Sequence, residues 1–143
     1  CTAQGLRVQR KSQLGEGGVP ADAQLLVGDT MGEMFAYYTA CDFAFIGGSL
    51  LPLGGQNLIE ACACGKPVLL GPHMFNFAQP SEDALAAGAA LQVADAREVF
   101  ARTFDLLANS KQLEQMSAAA VGFAQREVGA TQKTVALLQP YLR

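Results

Sequence analysis

Asp42-Phe-Ala-Phe-Ile-Gly-Gly-Ser49, Gly54-Gly-Gln-Asn-Leu-Ile-Glu-Ala-Cys-Ala-Cys64 and Lys66-Pro-Val-Leu-Leu-Gly71 decide the fold. Two short apolar runs, Asp42–Ile46 and Lys66–Leu70, are each stopped by glycine, and the stretch between them has helical spacing. Near-continuous apolar strands joined through a helix belong to a parallel sheet covered on both faces. Working upstream, Leu6–Arg10 and Gln24–Val27 read as strands separated by a Gly/Pro loop from Gly15 to Pro20, and Met31–Cys41 reads as a helix. Downstream, Ala78–Ala87 reads as a helix capped by a left-handed Gly88, and Ala90–Val93 as a short strand. Three helices follow, over Arg97–Ala108, Lys111–Arg126 and Thr131–Leu142. The expected fold is α/β, a Rossmann-like doubly wound parallel sheet.

A doubly wound domain opens with a strand and a helix, whereas this chain reaches its first strand within a few residues. The expectation is therefore a sheet that lacks its first strand. In the order 3-2-1-4-5-6 the gap lies between the Leu6–Arg10 and Asp42–Ile46 strands. Those two must then pair directly, be bridged by another chain, or leave backbone groups unpaired. Residues 1–143 read as one piece of a larger polypeptide.

The composition narrows the functions. With 143 residues the chain can build one domain with a core. Half the residues are hydrophobic and 16% are charged, which excludes a disordered chain. The net charge of −3 and the absence of a basic stripe exclude a nucleic-acid-binding surface. No apolar run approaches the ~20 residues of a membrane helix, and the first residues lack the layout of a signal peptide. Cysteines stand at positions 1, 41, 62 and 64. Cys62 and Cys64 project about 200° apart around a helix, which suits neither a disulfide nor a shared metal. They read as small buried thiols.

Ligands of open parallel sheets bind beyond the carboxyl ends of the strands. Three segments fall there: Gly28–Glu33, Gly47–Asn57 and Gly71–Phe77. In the second, Gly47-Gly48 lets the chain leave its strand, and Gly54-Gly55 leaves amides uncovered before a helix start, a setting for an anion. The Gly-Lys-Ser/Thr of a P-loop and the Gly-x-Gly-x-x-Gly of dinucleotide folds are both absent, so a monophosphate or sugar-nucleotide phosphate fits better. Asn57 and Glu60 have the spacing of a capping box, as do Thr30 with Glu33 and Asp95 with Glu98. The last pair has no glycine loop beside it and serves as an internal control for plain capping. His73 is a lone histidine without an orienting carboxylate nearby in sequence. Phe75 and Phe77 either wall a ligand or anchor their loop.

Together, Gly28-Asp-Thr-Met-Gly-Glu33, Phe45-Ile-Gly-Gly-Ser49, Gly54-Gly-Gln-Asn-Leu-Ile-Glu60, Gly65-Lys-Pro-Val68 and Gly71-Pro-His-Met-Phe-Asn-Phe77 resemble the C-terminal half of 3-deoxy-D-manno-octulosonic acid (Kdo) transferases. These are bacterial GT-B-fold glycosyltransferases. The chain departs from the family pattern at Gln56, where histidine is common. The resemblance implies transfer of Kdo from CMP-Kdo to the lipid A precursor, inverting, with no metal and no cofactor, at the cytoplasmic face of the bacterial inner membrane. It implies that Glu60 holds the ribose hydroxyls and that Asn57, Gly54 and Gly55, with Gly48 and Ser49, lie near the phosphate. Met31, Gly32 and Glu33 face the donor, and Pro72, His73, Phe75 and Asn76 line the nucleotide pocket. The catalytic carboxylate and acceptor surface belong to the N-terminal half, so residues 1–143 alone are expected to be inactive. The glycine loop and ribose glutamate are shared more widely. A UDP-sugar GT-B transferase or epimerase therefore remains an alternative, as does a non-catalytic doubly wound interaction domain.

Overall fold

A computed structural model of the chain describes residues 2–127, 135 and 137–141. They fall into two compact units, residues 1–34 and 35–143. The first unit holds a turn of 3-10 helix at Thr2–Gln4, strand β1 (Val8–Arg10), a second 3-10 turn at Lys11–Gln13, and strand β2 (Leu25–Val27). The two strands pair in parallel, with Gln9 opposite Leu26. None of residues 3–34 is fully buried.

The second unit carries helix α1 (Met34–Ala40, beginning at the unit boundary), β3 (Ala44–Phe45), α2 (Ile59–Ala63), β4 (Val68–Leu70), α3 (Ala78–Ala86), β5 (Ala90–Gln92), α4 (Ala96–Ala108) and α5 (Ser110–Glu127). Strand order is β3-β4-β5, all parallel. Val68 and Leu70 are buried in one apolar cluster with Ile46, Leu58, Cys62 and Phe123. Leu69 points the other way, into a cluster with Leu106 and Met116. Alternate residues of one strand thus feed two cores, which is why β4 is apolar throughout.

The expected element order holds, with shorter ends. β1 and β3 do not pair with each other, so no continuous sheet joins the two units. Of the three outcomes open to an order without its first strand, direct pairing of β1 with β3 is therefore absent. The helix expected from Met31 begins only at Met34, because Gly32 sits at φ +80°, outside helical space. The helix expected from Asn57 is five residues long. Gly88, at φ +74°, ends α3 in a Schellman motif: its N–H donates to Leu85 O (3.0 Å) and the N–H of Ala89 to Ala84 O (2.9 Å). Of the helix expected over Thr131–Leu142, half lies outside the described residues; Val135, Leu137 and Leu138 are helical and Gln139–Tyr141 form a 3-10 turn.

Candidate functional site

The loops that follow β3 and β4 are clasped together around Ser49. Its side chain is fully buried. Its Oγ donates to Ile46 O and accepts from the N–H of Gly71 (2.8 Å), while its carbonyl accepts from the N–H of His73 (2.9 Å). Ser49 was expected near the phosphate, but every polar group of its side chain is committed to this clasp. Gly71 makes the approach possible, since a Cβ there would lie 2.3 Å from the Ser49 carbonyl carbon and oxygen.

A second contact joins the same loops. The N–H of Asn76 donates to Gly54 O (3.1 Å), and Asn76 Nδ2 to Leu53 O (3.4 Å). Gly54 and Gly55 both have positive φ, +91° and +71°, and both are buried. The N–H of Gly55 donates to Gly48 O (3.2 Å), itself at φ +72°. Of the two amides expected to stay open, closing the loop on itself consumes the Gly55 N–H, whereas the Gly54 N–H has no partner among the described residues. The N–H groups of Gln56, Asn57 and Leu58 have no partner among the described residues. Beside Gly54, the amides left for an anion are thus those one to three residues after Gly55. Five residues of α2 also give too small a dipole to carry the anion argument.

Glu60 separates itself from its two look-alikes. Glu98 is a helix cap: its N–H donates to Asp95 Oδ1 (2.9 Å), its Oε2 accepts from the N–H of Ala94 (2.8 Å), and its Oε1 meets Arg102 (3.3 Å). Glu33 accepts from the Thr30 hydroxyl on Oε2 and pairs with Lys11 Nζ (3.2 Å) on Oε1. Glu60 caps no backbone group. Its Oε1 accepts from Asn57 Nδ2 (3.0 Å), while Asn57 Oδ1 is taken by the N–H of Ile59 (2.9 Å). Oε2 of Glu60 has no partner among the described residues. The half-buried Glu60 thus presents one oriented, open carboxylate oxygen beside the glycine loop. Tyr38 is close enough to sense it: burial, and then the Glu60 charge, push its hydroxyl above the usual tyrosine range.

Pro72, His73 and Phe75 line a different space, a pocket of about 420 Å³ closed by Ser81, Glu82 and Leu85 of α3 and by Gln92 at the end of β5. Asn57, Glu60, Gly54 and Gly55 do not line it. The residues contributed by α3 and β5 were not anticipated, because nothing in their spacing departs from an ordinary helix face and strand end. Phe75 is well exposed and Phe77 packs on the core, so the two aromatics divide the roles offered to them. Cys62 is buried and its thiol is pushed up to about 12 by desolvation, as expected of an inert thiol. Cys41 and Cys64 are only half-buried, because each sits just past a helix end.

Met31, Gly32 and Glu33 belong to the first unit. Met31 is almost fully exposed, and Gly32 supplies the left-handed turn that lets Thr30 and Glu33 meet. Asp29 closes the other side, accepting from the N–H (2.9 Å) and Oγ (2.7 Å) of Ser12 and meeting Arg10 at 3.5 Å. Both carboxylates are held below their ordinary values, Asp29 chiefly by Ser12 and Glu33 chiefly by Thr30 and then Lys11. A depressed folded-state pKa stabilises the fold above the ordinary values of 3.8 and 4.5, and the contribution is lost as pH falls through the depressed ones. The Ser12 amide is therefore expected to be protected from exchange at pH 7 and to lose protection below the ordinary carboxylate range. Protection that does not change with pH would mean that Asp29 does not hold it.

No protein-family model matches the chain. It is 47% identical over 140 residues to a 3-deoxy-D-manno-octulosonic acid transferase of Bordetella pertussis, across 98% of this chain and 32% of the relative. A transferase of the same name from Haemophilus influenzae is 35% identical over 122 residues, across 85% of this chain and 29% of the relative. The chain thus spans about a third of the length of these curated relatives. Among solved structures, the C-terminal CMP-Kdo binding domain of WaaA from Acinetobacter baumannii superposes with a TM-score of 0.80 at 31% identity, covering 87% of this chain and 64% of that one. The similarity extends over nearly the whole chain, and the chain belongs to the 3-deoxy-D-manno-octulosonic acid transferase family, matching its C-terminal domain.

Proposed function

We propose that residues 1–143 form the donor-binding domain of a two-domain glycosyltransferase that moves Kdo from CMP-Kdo to the lipid A precursor. The observation that carries this reading is Glu60. Of three glutamates at the same spacing, it alone keeps a carboxylate oxygen without a partner among the described residues, beside a loop with unpaired amides. A carboxylate oriented by an amide and open on one oxygen suits a ribose diol, and the N–H groups of Gln56, Asn57 and Leu58 suit the adjoining phosphate. The family relatives and the CMP-Kdo binding neighbour supply the nucleotide and the sugar.

An inverting transfer needs a base near the acceptor hydroxyl, on the side opposite the departing CMP. That base and the acceptor surface are assigned to the remaining two-thirds of the longer relatives, with this domain stabilising the leaving nucleotide and requiring no metal. Work at the cytoplasmic face of the inner membrane follows from a lipid acceptor. Among the described residues no helix is long and apolar enough to cross a membrane, so a membrane anchor is not assigned to them. Titration of the chain with CMP, UMP and UDP tests the reading, and CMP is expected to bind most tightly. Preference for UDP would move the domain to a UDP-sugar enzyme. Binding of none of the three would make it an interaction domain.

A further inference from the structure

The pocket beyond β4 and β5 is not used by the groups gathered around Glu60. Its volume of about 420 Å³ falls within the ~300–1,000 Å³ of small-molecule sites. It lies at the carboxyl ends of two parallel strands, where ligands of such sheets bind. Leu70, Met74 and Leu85 make its walls apolar, and the exposed Phe75 adds an aromatic face.

Three planar polar side chains complete it: His73 from the loop after β4, Glu82 from α3 and Gln92 from the end of β5. None of the three has a side-chain partner among the described residues, whereas the neighbours of Glu82 are committed. Ser81 Oγ donates to Phe77 O (2.7 Å), and Asp83 Oδ1 accepts from Gln79 Nε2 (3.0 Å). No lysine or arginine lines the pocket, so Glu82 stands there without a cation and disfavours a phosphate. Apolar walls, an aromatic face and planar groups that donate and accept suit a polyol ring, which is apolar on its C–H face and hydroxylated at its edge. Met74 and Phe75 also touch the glycine loop. A Cβ on Gly54 would lie 2.7 Å from the Phe75 ring, and one on Gly55 would collide with Met74 Sδ. These two side chains are all that separates the pocket from the loop with the free amides. In a nucleotide sugar the sugar is bonded directly to the phosphate, so a phosphate on those amides brings its sugar to this wall.

We propose that this pocket holds the sugar of the donor, with Glu82 accepting from its hydroxyls and Phe75 against its apolar face. The inference rests on the proposed function, in which Glu60 and the amides of residues 56–58 hold the nucleotide. Glu82 can only accept, so the carboxylate of the octulosonic acid falls to the donors of His73 and Gln92. Pro72, His73 and Phe75 then serve the sugar, and not the nucleotide pocket that the family resemblance implied for them.

Calorimetric titration of the chain with CMP-Kdo and with CMP tests it. The unaltered chain is expected to bind CMP-Kdo more tightly than CMP. Glu82→Gln should weaken CMP-Kdo about tenfold, in line with the loss of a charge-assisted hydrogen bond, and leave CMP and the melting temperature unchanged. Gln92→Ala should weaken CMP-Kdo about threefold, again without touching CMP. Removing a negative charge would by itself favour an anionic donor, so weaker binding in Glu82→Gln reports a lost contact and not a lost field. Asp83→Asn, one residue along α3 and outside the pocket, is the control and should change neither affinity. CMP-Kdo affinity unchanged in both pocket variants overturns the proposal, as does an equal loss for CMP, which would put the nucleotide in the pocket. An unaltered chain that binds CMP but gains nothing from the sugar overturns it while leaving the nucleotide site standing. A chain that binds neither ligand fails the proposed function itself, and this proposal with it, so the two failures are told apart.

Discussion

Gly71→Ala is expected to lower stability by about 3 kcal/mol, the sum of an overpacked contact and disrupted buried hydrogen bonds. For a chain of this size that is a fall of about 10 °C in melting temperature. The added methyl would sit 2.3 Å from the Ser49 carbonyl and 2.6 Å from the Leu50 nitrogen, all backbone atoms that no rotamer change can clear. Moving that backbone strains the bonds from the Gly71 and His73 N–H groups to Ser49, and with them the clasp between the two loops. Nucleotide affinity should fall together with stability. Gly88→Ala is the matched comparison: it meets open space, and its φ of +74° leaves only the left-handed penalty, about 1 kcal/mol. Thermal melts of the two variants decide the matter. A Gly71→Ala protein that melts within a degree or two of the parent would mean that the loops are not clasped as described.

Glu60→Gln is expected to weaken CMP binding about tenfold or more, because a charge-assisted hydrogen bond contributes about 1.5–3 kcal/mol. Glutamine keeps an oxygen for Asn57 Nδ2, so the local structure survives and stability should change by less than about 1 kcal/mol. Glu98→Gln provides the control. It weakens a real helix cap, where the carboxylate accepts from the Ala94 N–H, and should cost up to about 1 kcal/mol of stability with no change in nucleotide affinity. Titration and melting of both variants separate the roles. Unchanged affinity with a lowered melting temperature in Glu60→Gln would make Glu60 a structural residue like Glu98.

Much of the scaffold was legible because it depends on local chemistry. Apolar runs stopped by glycine marked β3 and β4, and the alternation of strand and helix marked the parallel sheet. Gly88 as a left-handed cap and Asp95 with Glu98 as a capping box depend on residues within one helical turn of each other, and both formed as read.

The site was legible only as a set of segments, since the fate of each polar group depends on what the fold brings to it. Ser49 looked available and is sealed by Gly71 and His73 from a loop 22 residues away. Gly71 looked like a simple strand stop and is the residue that allows that closeness. The sequence by itself determined the parallel α/β architecture, the glycine loops and three glutamates at identical spacing from a capping-type residue. Glu98 was already legible as a cap, whereas only the tertiary structure decided what Glu33 does. Lys11 arrives from β1 to occupy Glu33, the turn of α4 brings Arg102 and the Ala94 amide to Glu98, and at Glu60 an oxygen stays open. Spacing along the chain sets which groups near one another can bond, whereas a partner that comes from a separate element is set by packing, and here packing separates the open carboxylate of Glu60 from the occupied one of Glu33.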